Sequence, residues 1–422
     1  MIFPKMLKVR QKLADRKVDS IPEKIRLELG GIGIQDKINQ GDSIAITVGS
    51  RGVRNIDVIT KEVVHCLENY GAKPFIIPAM GSHGGATPEG QANVLAHYGV
   101  TEEYIGAPIK ATMEVVEIGQ TVDGLKVYLD RYASEADHIL VMNRVKPHTD
   151  FFGEIESGLH KIMTIGLGKH KGARYYHQAA VEYGLGHIIY TVGQTVLRNT
   201  SILCGIGIVE NGYDETAEIK AILPAEFERQ EKELLKKAQE FIAKLPFDYI
   251  DVLIVDQIGK DISGTGMDTN VTGRMMAPLF TPEPEIPSIK RILVSDLTKD
   301  TDGNALGIGA ADFCNTRIIE KIDKHVMYTN GLTGLVPEKV RLPMDFPTDK
   351  EMLTAALQTI GLVGTEKARV VHIKDTLHME YLELSTAFAE QLKNRNDLIV
   401  ISGPEDIKFD NKGNFVFIEE NN

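Results

Sequence analysis

The sequence predicts an α/β protein of two domains with mainly parallel sheets and an active site in the interdomain cleft. The first observation behind this is a series of short apolar, β-branched runs bounded by glycine or proline. The second is that stretches with helical spacing separate several of these runs, and strand-helix alternation of that kind gives parallel sheets covered by helices. The third is length, since 422 residues suit two domains better than one.

Taken in order, Ile44 to Val48, Pro74 to Ile77, His138 to Met142 and Ile202 to Val209 read as strands of the first domain, with Ile56 to Tyr70 and Pro88 to His97 as helices among them. The Glu- and Lys-rich segment Pro224 to Leu245, stopped by Pro246, reads as a long amphipathic surface helix joining the domains. It sets their expected limits at 1–245 and 246–422. Beyond it, Val252 to Val255, Ile292 to Val294, Val370 to Ile373 and Leu398 to Ile401 read as strands of the second domain.

Composition narrows the function classes. A hydrophobic content of 43% with 25% charged residues is that of an ordinary globular enzyme. The net charge of -12 argues against a protein that coats nucleic acid or an anionic membrane. The start, Met1 to Arg10, has no apolar signal region, and no window approaches the about 18 apolar residues of a membrane span, so the expected setting is cytoplasmic. Cys66, Cys204 and Cys314 are far apart and form no CxxC pair, which reads as buried structural thiols.

In open α/β sheets ligands collect beyond the carboxyl ends of strands. After Ile44 to Val48 comes Gly49-Ser50-Arg51-Gly52; after Pro74 to Ile77 comes Pro78-Ala79-Met80-Gly81-Ser82-His83-Gly84-Gly85; after His138 to Met142 comes Asn143-Arg144-Val145-Lys146-Pro147-His148. Three successive strands thus end in Arg or His among turn residues, which argues for a site. His83 and His148 lie in Gly/Pro turns, where a packing role is less natural. His177 shares a helical face with Ala173, Tyr176, Ala180 and Val181, so it is either a core histidine satisfied by a carbonyl or a metal ligand or acid-base group. Lys161 enters the apolar run Ile162-Met163-Thr164-Ile165 and is either snorkelling to solvent or a buried amine held for covalent or electrostatic work.

Two glycine-rich stretches do not match nucleotide motifs. Gly166-Leu-Gly-Lys-His-Lys-Gly has the wrong spacing for a dinucleotide turn, and Gly153 to Gly158 is followed by Leu159-His160 where a P-loop needs Lys and Ser or Thr. Glycines there still let backbone amides approach a phosphate. In the second half, Asp256 to Arg274 packs Lys260, Asp268, Asn270 and Arg274 among glycines after a strand; Asp296 to Gly309 follows another and lacks the closing glutamate of a calcium loop. These loops either face the cleft or are solvated turns.

The combined pattern resembles the lactate racemase family: a post-strand Arg51, Gly81-Ser82-His83, Pro147-His148, a glycine-rich turn with Lys161, and His177 sixteen residues further on. The likeness is clearest over Ile44 to Gln178. It implies an isomerase that racemises or epimerises a small 2-hydroxy acid with a nickel-pincer nucleotide (pyridinium-3,5-bisthiocarboxylic acid mononucleotide nickel), supplied by upstream cofactor biosynthesis proteins. By position, Lys161 would carry the cofactor covalently, Gly153 and Ser157 would contact it, and His177 would bind nickel. His83 and His148 would be the acid-base pair, and Arg51 would hold the substrate carboxylate, a task suited to its planar fork of donors. A second substrate ligand would come from the C-terminal domain, with Lys260, Gln257 before it, or Arg274 as nominees. The segment Thr149 to His160 is longer and more acidic than the family's glycine-rich version. Two other readings are a hydrolase with a plain divalent metal on His83, His148 and His177, and a non-catalytic protein binding a hydroxy acid or nucleotide.

Overall fold

The computed structural model describes residues 1–49 and 53–416. The chain divides into a unit formed by Asp15–Ile242 and a discontinuous unit formed by Met1–Ala14 and Ala243–Asn422. The expectation of an unbroken N-terminal domain from residue 1 therefore needs amendment. The strand β1 (Met6–Gln11) pairs antiparallel with strands more than 370 residues away, at 381–385 and 398–405. Its alternating pattern, Met-Leu-Lys-Val-Arg-Gln, says strand but carries no information about which sheet will take it.

The Asp15–Ile242 unit contains β2 (Ser43–Val48), β3 (Lys73–Pro78), β4 (Val115–Gln120), β5 (Lys126–Asp130), β6 (His138–Arg144), β7 (Ile202–Glu210) and β8 (Thr216–Ile222). Its main sheet has the order β3-β2-β6-β7-β8, and β4 and β5 form a separate antiparallel pair. The strands β3, β2, β6 and β7 run parallel, while β8 is an antiparallel edge. Nearly continuous apolar runs are what a parallel sheet covered on both faces requires. In β2 every residue after Ser43 is buried. The Ile56–Asn69 helix lays Ile56, Ile59, Val63, Val64 and Leu67 on that sheet, and these join β2, β3 and β6 residues in one core cluster.

The second unit adds β9 (Tyr249–Ile258), β10 (Ser288–Leu297), β11 (Phe313–Asn315), β12 (Met344–Phe346), β13 (Val370–Ile373), β14 (Tyr381–Ser385) and β15 (Leu398–Glu405). Their order is β12-β11-β10-β9-β13-β14-β1-β15, parallel from β12 to β13 and antiparallel from β13 to β15. Both sheets are thus mainly parallel, as the strand-helix alternation predicts.

The segment read as a joining surface helix is helical over Phe227–Phe241, just before the unit boundary. It is not only a surface element, because Phe227, Glu231, Leu234, Leu235 and Ala238 are buried. The three cysteines are free and buried, and burial pushes the Cys66 thiol up to about 11 and those of Cys204 and Cys314 to about 12. Among the described residues no helix is long and apolar enough to cross a membrane.

Candidate active site

Because β2, β3 and β6 are parallel, their carboxyl ends share one edge of the sheet. The chain leaves β2 for β3 on one side, and β6 then enters on the other, so the strand order reverses between β2 and β6. A crevice at such a reversal is where open α/β sheets bind ligands. Arg51, in the loop after β2, lies outside the described residues. The loop after β3 carries His83, which is exposed, and the loop after β6 carries His148, which is buried.

The His148 loop is closed at its base. Lys146 N–H donates to Ser157 O at 3.0 Å, and Ser157 N–H returns a bond to Lys146 O at 3.2 Å. Inside the loop the Glu156 carboxylate, 2% exposed, accepts the His148 N–H at 2.5 Å and the Gly153 N–H at 3.1 Å. Burial pushes Glu156 up to about 7, although both amides and the nearby Lys161 ammonium pull the other way. His148 Nδ1 accepts the Asp150 N–H at 3.0 Å. In the neutral ring this leaves the proton on Nε2, so His148 presents a donor there.

Past Gly158 the chain makes the single turn Leu159–Lys161, a π-helical turn Ile162–Gly166, and then the Lys169–Tyr183 helix. A π turn re-aims side chains relative to a regular helix and is common at functional sites. Lys161 is half-buried, and its Nζ donates to Ser157 Oγ at 3.4 Å. Its neighbour His160 is fully buried, with Nδ1 at 2.5 Å from Glu231 Oε2. A Cβ on Gly158 would meet Glu231 Oε1 at 2.0 Å, and one on Gly193 would meet His160 Cδ2 at 2.8 Å. Only glycine admits the buried pair directly beneath Lys161.

On the Lys169–Tyr183 helix the buried residues are Lys169, Gly172, Ala173, Tyr176 and Ala180. The Tyr176 hydroxyl accepts the Tyr128 N–H at 2.8 Å and seats the helix against β5. His177 stands at the edge of this face rather than in it, and Val181, expected on the same face, is exposed. The Nδ1 atom of His177 is buried and makes no well-formed hydrogen bond among the described residues, although the Ala173 carbonyl one turn back is near enough to favour its charged form. Desolvation lowers the His177 pKa, Asp150 opposes this, and the Lys161 ammonium adds to it. Asp150 thus lies near both His148 and His177, and Lys161 near both Glu156 and His177.

The sequence profile of the lactate racemase N-terminal domain matches residues 7–185, the span that holds every one of these groups. The chain carries a lactate racemase N-terminal domain. The fold agrees with this: the lactate racemase apoprotein from Thermoanaerobacterium thermosaccharolyticum superposes with a TM-score of 0.54 at 14% identity, covering 86% of this chain and 93% of that one. Among curated proteins no sequence matches. The resemblance read from the motifs is borne out over residues 7–185.

Measured against what that family's cofactor needs, the residues fit. An amine at a turn, a serine beside it and an unpartnered, largely neutral imidazole on the adjoining helix are the donor types for a lysine-linked, nickel-bearing group. The plain-metal alternative fares differently. Among the described residues no three His, Cys, Asp or Glu side chains are grouped to hold an ion, so His83, His148 and His177 form no three-histidine site.

In the other unit, Lys260 Nζ donates to Gly264 O at 2.7 Å, and its backbone N–H is fixed by Thr301 Oγ1 at 3.0 Å. Gln257 sits on β9, partly exposed. Arg274 is committed to the fold, donating to Ala310 O at 2.8 Å and Ile289 O at 3.0 Å and pairing with Asp312 at 2.8 Å. Asp296, near the end of β10, is paired to Lys321 at 2.5 Å. Sequence reasoning missed Asp150, Glu156, Glu231, Lys169 and Gln91. The first two sit in the acidic segment that departs from the family pattern, which was the available signal; the others are polar residues inside ordinary helices.

Proposed function

We propose that this protein racemises or epimerises a 2-hydroxy acid, with a nickel-pincer nucleotide held by Lys161 and His177. The observation that carries the reading is the orphaned, buried Nδ1 of His177 beside the Lys161 ammonium, within a matched lactate racemase N-terminal domain. Ser157, bonded to Lys161, and Gly153, whose amide is held by Glu156, would contact the cofactor. When bound, that group would supply reversible hydride chemistry at the substrate α-carbon.

The chain's own residues do the rest. The α-proton of a hydroxy acid is weakly acidic, so a carbanion route is costly; loss of hydride from the α-carbon with loss of the hydroxyl proton gives a planar keto acid instead. His83 and His148 exchange that hydroxyl proton, one on each face, and return of hydride to either face sets either configuration. Arg51 would bind the substrate carboxylate, and Lys260, with Gln257 before it, or Arg274 would supply the second ligand.

The test is the intact mass and nickel content of protein co-expressed with the cofactor biosynthesis proteins, beside Lys161→Ala prepared identically. A nickel-bearing adduct absent from the variant is expected, and racemisation of a chiral 2-hydroxy acid should be lost in His83→Ala and in His148→Ala. An adduct retained by Lys161→Ala overturns the lysine assignment. Tight binding of hydroxy acids with no exchange in the loaded wild type would leave a binding protein on this scaffold.

A further inference from the structure

Lys169 opens the helix that carries His177, and it is fully buried. Its φ of 53° lies in the left-handed region, which costs a residue with a Cβ roughly 1–2 kcal/mol. A buried ammonium on a strained backbone needs a reason. It donates to Pro78 O at the end of β3 and to Gln91 Oε1 at 3.1 Å, and it forms an ion pair at 3.1 Å with Asp130 at the end of β5.

Gln91 is the link outward. An ammonium only donates, so the amide oxygen of Gln91 must face Lys169 and its NH2 must face away. That NH2 donates to Gly81 O at 2.9 Å and to His83 O at 3.3 Å. Gln91 is itself completely buried. The same loop lies flush on the turn before Lys169, since Gly81 has a φ of 58° and a Cβ there would stand 3.1 Å from Ile165 Cγ2. Hydrogen bonds therefore run without a gap from the first residue of the His177 helix to the backbone of His83.

We propose that Lys169, acting through Gln91, is a positioning residue that fixes the His83 loop against the start of the His177 helix. The inference rests on the reading above for the roles of the two histidines, and deepens it: the proton-exchanging group and the metal-binding group keep one relative placement because a single buried cation holds both segments. Asp130 completes the device by balancing the charge, and it is tied in turn to the Ala133 N–H at 3.0 Å.

Gln91→Glu separates positioning from folding. The glutamate still accepts from Lys169 but has no proton to give Gly81 O or His83 O. In the loaded enzyme kcat for racemisation should fall about a hundredfold with KM little changed, the scale of a reacting group misplaced by about 1 Å. In the full-length chain labelled with ring-15N histidine, the His83 signals, identified by their loss in His83→Gln, should shift or broaden while those of His160 stay. Lys169→Met/Asp130→Asn, which leaves no unpaired charge, should move the same His83 signals. Wild-type His83 signals and wild-type kcat in Gln91→Glu would overturn the proposal. Displaced His83 signals in a protein whose loaded wild type racemises no 2-hydroxy acid would uphold the positioning and sink the racemase reading.

Discussion

Glu156 shows how far one side chain's surroundings can set its chemistry. Its carboxyl is raised by burial from an ordinary value near 4.5 to about 7, so between those values the folded chain holds a proton that the unfolded chain has released. Folding stability should therefore fall as pH rises from about 4.5 through about 7, by on the order of 3 kcal/mol in all. Thermal midpoints of wild type and Glu156→Gln should diverge across that window, the variant gaining relative stability as pH rises; parallel curves would show that Glu156 is ionised throughout. The groups assigned to chemistry are legible in the sequence itself, because His83, His148 and Lys161 fall beside glycines and prolines after apolar runs. The groups that hold them are not. Glu156, Glu231, Gln91 and Lys169 are ordinary polar residues in the sequence, and only the fold reveals that each is buried and bonded.

At the level of elements, β7 reads Ile-Leu-Cys-Gly-Ile-Gly-Ile-Val-Glu, and its two glycines serve close packing. A Cβ on Gly205 would come within 2.6 Å of Phe227 Cζ and 2.7 Å of Leu159 Cδ1, and one on Gly207 within 2.5 Å of Leu234 Cδ1. Phe227 and Leu234 are seven residues apart on one helix, two turns along the same face, so the strand offers a groove that matches the helix's own spacing. Gly205→Ala should cost about 1–3 kcal/mol in urea denaturation by overpacking, and it should also lower adduct yield, since Leu159 begins the turn that carries Lys161. An unchanged midpoint would mean the helix shifts freely. Central strands such as β2, β6 and β9 are readable in the sequence because burial on both faces demands unbroken apolar runs. The pair β4 and β5, and edge strands such as β12, are not: β4 is mostly exposed or half-exposed, and its polar residues leave no such run.

Across the whole molecule, His372 joins the two halves of the larger sheet. It lies on β13, where parallel pairing gives way to antiparallel, and bonds Asp256 of β9 at 2.6 Å and Glu383 of β14 at 3.1 Å. Burial alone would lower its pKa; Asp256 and Glu383 prevail and raise it to about 10. The stabilisation this provides is complete below the ordinary histidine value of 6.5 and is lost as pH rises through about 10. Denaturation of the full chain should weaken over that alkaline range, and His372→Gln should flatten the dependence; the same slope in both would rule out a charged His372. The placement of β1 between β14 and β15 has a further consequence on the ribosome. This strand is made well before its neighbours, because residues 381–405 must be translated before it can pair on either side. At roughly 5–20 residues per second it waits for tens of seconds while Asp15–Ile242 emerges. Until then Met6, Leu7 and Val9, buried in the finished sheet, have no strand to cover them, and chaperone capture should include this segment.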